Sequence, residues 1–336
     1  MRKNNKKIKN LKTIICLIVL AALVISCDKD TNIVRSNVTP QRDVTMVELN
    51  NGTKIPSIGL RSSNYELNID ENSLTPIDPQ VMFSVENALK RGYRNIDSDY
   101  VRNNLSSVAL AIENSKVKRE EIWISVKIWP GDYGKGLTRN AIENILAELN
   151  TDYIDCVYLN YPIGDYKGAW SDLIAAYKSG WVRALGLSNF DDNIEAFNEI
   201  MEIDKNIKPQ LIQMEFHPYA QRKEMIKKFS RDDLKITCWY PMAGGDEKLM
   251  NDPVLKRIAD KYHKTVAQII LKFEVEENHI VTASPVVEEY IEANIDIFDF
   301  NLTEAEMNEI RSLDKGEAGR KFVTDYTRIR TIDDLN

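Results

Sequence analysis

Histidine is scarce in this chain. Three occur in 336 residues, His217, His263 and His279, scattered without the close spacing of a metal site, which argues against metal catalysis. Cysteine is nearly as sparse. Of four, Cys16 lies in an apolar N-terminal run and Cys27 just beyond it. Cys156 and Cys238 fall inside apolar strand patterns, which points to buried free thiols rather than a disulfide. With only 14 Gly and 11 Pro, collagen-like or low-complexity structure is excluded. No Gly-x-Gly-x-x-Gly follows an early strand, which counts against a doubly wound dinucleotide fold. No apolar run reaches the roughly twenty residues that span a bilayer. Positive charge is also missing. Six of the 44 Lys and Arg, and none of the 51 Asp and Glu, lie in the first 26 residues. The remainder sets 38 bases against 51 acids, a net −13. Such a body is repelled by nucleic acid and by anionic lipid, so neither is expected as a partner.

What is present begins with the N-terminus. RKNNKKIKNLK is a basic head, TIICLIVLAALVI an apolar run, and Ser26-Cys27 follows. That order is a signal peptide's. Val24-Ile25-Ser26-Cys27 resembles the lipobox of bacterial lipoproteins, in which the cysteine becomes the lipidated first residue; an uncleaved anchor helix is the alternative. Residues 1–26 are expected to be the signal, 27–43 a polar tether. The body then sits at the cell envelope, lipid-anchored through Cys27, on the periplasmic side or the cell surface. The acidic start after Cys27 resembles export signals to that surface.

From residue 44 to 316 the pattern is that of one domain, 43% of the chain being apolar and ample for a core. TMVELNNGTKIPSIGL reads as two short strands about an Asn-Gly turn. Strand candidates SIGL, RNID, IWISVK, DCVYLN, VRALGLS, QLIQMEF, KITCWY and IVTAS then alternate with amphipathic segments. PQVMFSVENALKRG, TRNAIENILAEL and DPVLKRIADKYHK are examples, opening near Asp, Thr, Ser or Pro as helices do. Eight strand–helix units predict a (β/α)8 TIM barrel, with the N-terminal hairpin closing its bottom and chemistry at the C-terminal mouth. Residues 317–336 form a tail.

One strand end is crowded with ionisable groups. In RNIDSDYVRNN, Asp97, Asp99, Tyr100 and Arg102 follow one another at the expected mouth.

The phrases LNNGTKIPSIGL, GYRNID, REEIWISVKIW, SGWVRALGLSNF, KPQLIQMEFHPY and FDFNLTEAEMNEI resemble, in order from about residue 44 to 315, the aldo-keto reductase family. The resemblance implies an NAD(P)-linked carbonyl reductase with a tetrad of Asp, Tyr, Lys and His. In that tetrad Tyr protonates the carbonyl oxygen as hydride arrives, Lys paired with Asp lowers the Tyr pKa, and His orients the substrate. Asp97 and Lys127 match two members. The tyrosine's place, five residues after the aspartate, holds Arg102, and the histidine's place holds Asn160. A guanidinium keeps its proton near neutral pH, and Asn160 hydrogen-bonds without carrying one. Asp97 and Lys127 also admit a purely structural reading, as a surviving ion pair.

The resemblance further implies that Ser188, Asn189 and Gln213 hold the nicotinamide carboxamide, that Trp239 stacks on the ring, and that Asn294 is a retained cofactor contact. Packing of the barrel is the plainer reading of the same residues. Near the last strand the family's Ile-Pro-Lys-Ser and following Arg grip the 2′-phosphate of NADP. Here the chain has Thr282-Ala283-Ser284-Pro285 and Tyr290, without a cation. The family's Gly-Leu-Gly-Thr is GLRS, which puts Arg61 where a cofactor lies close, as an obstruction. Free NAD(P)H is also cytoplasmic, whereas this body is expected to be exported. NADH or NADPH is therefore the implied cofactor, with a loosened grip.

Three functions follow. The leading expectation is a weakly active or inactive monomeric barrel that binds a small carbonyl compound or sugar. A working NADH-linked oxidoreductase with Tyr100 as a displaced acid is the alternative. A glycoside hydrolase built on Asp97 and Glu215 has the carboxylates but no matching fold.

Overall fold

The computed structural model describes residues 43–62, 77–102 and 104–323, with the Arg102 side chain outside that description. The expected signal peptide, Cys27, nearly all of the tether and the tail beyond residue 323 also lie outside it. Among the described residues no helix is long and apolar enough to cross a membrane.

In chain order the strands are β1 (Met46–Glu48), β2 (Lys54–Pro56), β3 (Ile58–Arg61), β4 (Asn95–Asp99), β5 (Trp123–Ile128), β6 (Ile154–Asn160), β7 (Val182–Ser188), β8 (Leu211–Glu215), β9 (Lys235–Trp239) and β10 (Ile280–Ala283). The helices are α1 (Pro79–Lys90), α2 (Leu105–Ser115), α3 (Leu137–Glu148), α4 (Tyr166–Ser179), α5 (Ile194–Ile203), α6 (Lys223–Arg231), α7 (Glu247–Met250), α8 (Pro253–Tyr262), α9 (Val266–Glu276), α10 (Glu288–Ile295) and α11 (Glu304–Arg311). β3 to β10 pair in parallel, and β10 returns to β3 to close a barrel. The expected eight-stranded barrel is what forms, and its closure disposes of an open sheet.

Local chemistry sets the helix starts. Asp78 and Asp252 accept amide hydrogen bonds at the starts of α1 and α8, each with Pro at the first turn, where the missing N–H costs nothing. Thr265 and Thr303 form capping boxes with Gln268 and Glu306.

The core has two parts. The larger lies among β3 to β10 and their helices. In the smaller, Val47, Leu49 and Ile55 of the hairpin meet Trp123, Leu211 and Ile280. Those last three are the first residues of their strands, so the hairpin plugs the N-terminal end. Inside the barrel, the Tyr158 hydroxyl reaches Thr237 at 3.1 Å. Its ring fits because residue 186 is glycine; a Cβ there would collide with it.

Register then assembles the mouth. Arg61 pairs with Asp97, Asp99 with Lys127, Asn160 with Ser188, Ser188 with Gln213, and Glu215 with Trp239. Residues from Arg61 to Trp239 thereby become neighbours at one end of the barrel.

Candidate functional site

The mouth holds a cavity of about 190 Å³, lined by Arg61, Asp99, Lys127, Asn160, Ser188, Asn189, Gln213 and four aromatic residues, Trp129, Tyr161, Trp239 and Phe322, together with Val101. Four buried or nearly buried charges run across it. Lys127 Nζ donates to both carboxylate oxygens of Asp97, at 2.6 Å each. It lies 3.6 Å from Asp99 Oδ1, and Arg61 Nη2 donates to Asp99 Oδ2 at 3.0 Å. Two cations answer two anions, so the line carries no net charge. This alternation lets four charges sit in a low-dielectric mouth whose desolvation would otherwise be prohibitive.

The amide side chains form a second layer. Gln213 Nε2 donates to Asp97 Oδ2 at 3.2 Å, and Ser188 Oγ donates to Gln213 Oε1 at 3.2 Å. Asn189 Nδ2 donates to Asn160 Oδ1 at 2.8 Å. Asn189 has φ +61 and Tyr161 φ +74, left-handed backbone that turns the chain away as it leaves β7 and β6.

The sequence-derived site residues therefore divide. Asp97, Lys127, Asn160, Ser188, Asn189, Gln213 and Trp239 converge at the mouth. Asn294 is buried within α10 and does not line the cavity. Tyr100 sits in the short 3₁₀ turn after β4, and its hydroxyl accepts from Asn144 Nδ2 of α3 at 3.2 Å. Tyr100 is not among the residues lining the cavity. Glu215, one carboxylate of the glycoside-hydrolase alternative, is buried and bound to the chain itself. Its oxygens accept from the amides of Lys321 (2.6 Å) and Phe322 (3.0 Å). Burial pushes that carboxyl up, but hydrogen bonds from His217 and the two amides bring it below the usual range.

The strap that supplies those amides was not legible in sequence. Arg320 donates to both oxygens of Asp192 at 2.7 Å, and Arg222 donates to Asp191 at 2.7 Å. Lys321 reaches Asp246 at 2.6 Å. Phe322 is thereby laid against Trp239, ring centroids 4.9 Å apart, and against Tyr240 at 4.7 Å. The only sequence signal was the basic pair Arg320-Lys321 before an aromatic residue, with the acidic pair Asp191-Asp192 elsewhere in the chain.

A nicotinamide cofactor meets a divided reception. The polar ends of Ser188, Asn189 and Gln213 and the indole of Trp239 stand together at the mouth and fit its nicotinamide end. Phe322 already shares the indole. Ser284 and an exposed Tyr290 stand at the positions where the resemblance implies the 2′-phosphate grip, and neither is a cation. Among the described residues, no cluster of His, Cys, Asp or Glu could hold a metal ion.

Comparison with known proteins agrees with this geometry. A profile of the Aldo/keto reductase family matches residues 66–315. Glyoxal reductase of Bacillus subtilis is 35% identical over 272 residues, 81% of this chain and 93% of that protein. Methylglyoxal reductase DkgA of Escherichia coli is 30% identical over 279 residues, 81% of this chain and 94% of its own length. Among solved structures, the aldo-keto reductase MGS-M4 from a deep-sea metagenome superposes with a TM-score of 0.76 at 29% identity, covering 85% of this chain and all of its own. A Bombyx mori aldo-keto reductase in complex with NADP gives a TM-score of 0.73 at 25% identity, covering 84% of this chain and 96% of that one.

Proposed function

The chain belongs to the aldo-keto reductase family, and from that premise we propose that its mouth binds a small carbonyl compound or sugar while hydride transfer there is slow or absent. One observation carries this reading: the Asp97–Lys127 pair is assembled, yet among the described residues no tyrosine hydroxyl is hydrogen-bonded to it. The Lys127 ammonium donates to Asp97, and the nearby Tyr100 hydroxyl is engaged by Asn144.

A reduced nicotinamide, when bound, would supply the hydride. The rest falls to this chain. A carbonyl oxygen that gains negative charge needs a proton, and neither Arg102 nor Asn160 gives one near neutral pH. Loss of a positioned general acid costs roughly 10²- to 10⁴-fold. Asn160 can still polarise a carbonyl or hold a hydroxyl. The aromatic walls Trp129, Tyr161 and Trp239 exclude water from one side of the ligand. Glyoxal and methylglyoxal reductases among the relatives support a short carbonyl compound as the class of ligand.

Binding and turnover separate under titration. NADPH is expected to bind no better than NADH, since Ser284 and Tyr290 replace two cations, each worth about 1.5–3 kcal/mol in a charge-assisted contact. Tight, selective NADPH binding would overturn that part of the reading.

The same proposal places the protein at the cell envelope, supported by the basic head, the short apolar run and the Cys27 motif. Cys27→Ala should release the protein from membrane fractions or block its maturation. Unchanged membrane retention with the signal run intact would favour an anchor helix instead.

A further inference from the structure

The one Asn-Gly step in the chain, Asn51-Gly52, forms the tip of the hairpin that plugs the bottom of the barrel. Gly52 takes a left-handed φ of +83, as the glycine of a short hairpin loop does. Asn-Gly is also prone to cyclise on itself. A residue without a Cβ leaves its nitrogen open to attack on the preceding carboxamide.

The folded tip opposes that reaction at both reacting groups. Gly52 N donates to Leu49 O at 2.9 Å, and attack needs that hydrogen to leave. The Asn51 carboxamide is held at both ends. Its Nδ2 donates to Arg183 O at 2.9 Å and to the Tyr177 hydroxyl at 3.4 Å. Its Oδ1 accepts from Thr53 N at 3.1 Å and from Thr53 Oγ1 at 2.7 Å. Asn50 ties the same tip to the carbonyls of Pro209 and Asp233, 3.2 Å each. The carboxamide cannot swing without breaking bonds to β7, α4 and Thr53 together, so cyclisation waits on local opening of the hairpin.

The product does not fit the place it leaves. Aspartate at position 51 would set a carboxylate oxygen against the Arg183 carbonyl, two acceptors with no hydrogen between them. Isoaspartate adds a backbone carbon inside the loop that brings Glu48 opposite Lys54. Val47, Leu49 and Ile55, which cover the barrel bottom, follow that register.

We propose that Asn51 is a self-modification site that the fold holds shut: opening of the hairpin lets Gly52 N attack Asn51 Cγ, and the product no longer closes the plug. The Gly52 N–Cγ bond forms as the Cγ–Nδ2 bond breaks, and the Gly52 hydrogen leaves with Nδ2 as ammonia. Water then opens the cyclic imide at either carbonyl, giving aspartate or isoaspartate. Asn51 thereby records opening of the plug, independently of what the mouth binds.

Peptide mass spectrometry of the whole protein, incubated in mildly alkaline buffer with and without urea, tests this. Asn51 should convert in urea, and about tenfold more slowly or slower still in buffer, the ratio being set by the opening equilibrium. Thr53→Val removes the hydroxyl bond to Oδ1 and should raise the rate in buffer severalfold, with the rate in urea unchanged. Asn51→Asp should melt below the wild type. Equal conversion in buffer and urea overturns the proposal, as does no conversion in urea. So does an unchanged buffer rate in Thr53→Val, or a wild-type melting temperature for Asn51→Asp. If Thr53→Val does not fold, the ratio between urea and buffer for the wild type decides.

Discussion

Lys127 Nζ lies 2.6 Å from both carboxylate oxygens of Asp97, and each side chain is about 2–3% exposed. Asp97 is the middle residue of β4 and Lys127 the penultimate residue of the adjacent β5, and Gln213 also donates to Asp97. A buried pair contributes little net stability, but removing one partner strands the other. Lys127→Met should therefore destabilise by about 3–5 kcal/mol, read as a lower urea midpoint at unchanged slope. The double variant Asp97→Leu/Lys127→Met should recover most of that loss. A single variant as stable as wild type would mean that Asp97 is not held as a buried charge.

Tyr100 sits in the turn after β4, and its hydroxyl is bonded to Asn144 of α3. Tyr100→Phe removes one exposed hydrogen bond from Asn144, worth no more than about 0.5–1.5 kcal/mol. Residual turnover should stay as it is. A 10²-fold or greater fall in kcat would identify Tyr100 as the acid.

Two buried titratable groups near the end of α9 give opposite pH dependences. Burial lowers the His279 imidazole to about 4, and its Nδ1 has no partner. Between roughly pH 6.5 and 4 the unfolded chain binds the proton and the folded chain does not, so stability falls on acidification, by up to about 3 kcal/mol. Glu274 is fully buried with neither carboxylate oxygen bonded, and burial pushes its carboxyl well up. Above its unfolded value near 4.5 the unfolded chain loses a proton that the folded chain keeps, so stability falls as pH rises. Glu274→Met should raise Tm more at pH 8 than at pH 5. An equal shift at both values would show that Glu274 titrates as an exposed acid.

The barrel was legible because its strands are short apolar runs and several of its helices open on a capping residue. β6 and β7 fall where DCVYLN and VRALGLS stand, and Asp252 caps the helix where DPVLKRIADKYHK opens. The convergence of Asp97, Lys127, Asn160 and Gln213 followed from their places within the barrel strands, because parallel register does the rest. Side-chain direction did not follow. Nothing in DSDY says that Asp99 turns to Arg61 while Tyr100 turns to Asn144; that depends on the pleat and on the 3₁₀ turn at residues 100–102. The strap was hidden for a different reason. Glu215 and Phe322 are 107 residues apart, and a backbone amide donating to a carboxylate leaves no trace in residue type.

The central claim is that a built mouth lacks its proton donor, and one measurement tests it most directly. Steady-state oxidation of NADH and NADPH by methylglyoxal would be followed for the wild type and for Arg102→Tyr/Asn160→His at equal cofactor saturation. The account predicts a wild-type rate near background and a rise of roughly 10²-fold or more in the double variant, provided the cofactor binds. Ordinary turnover by the wild type, with no gain from restoring both residues, would contradict it.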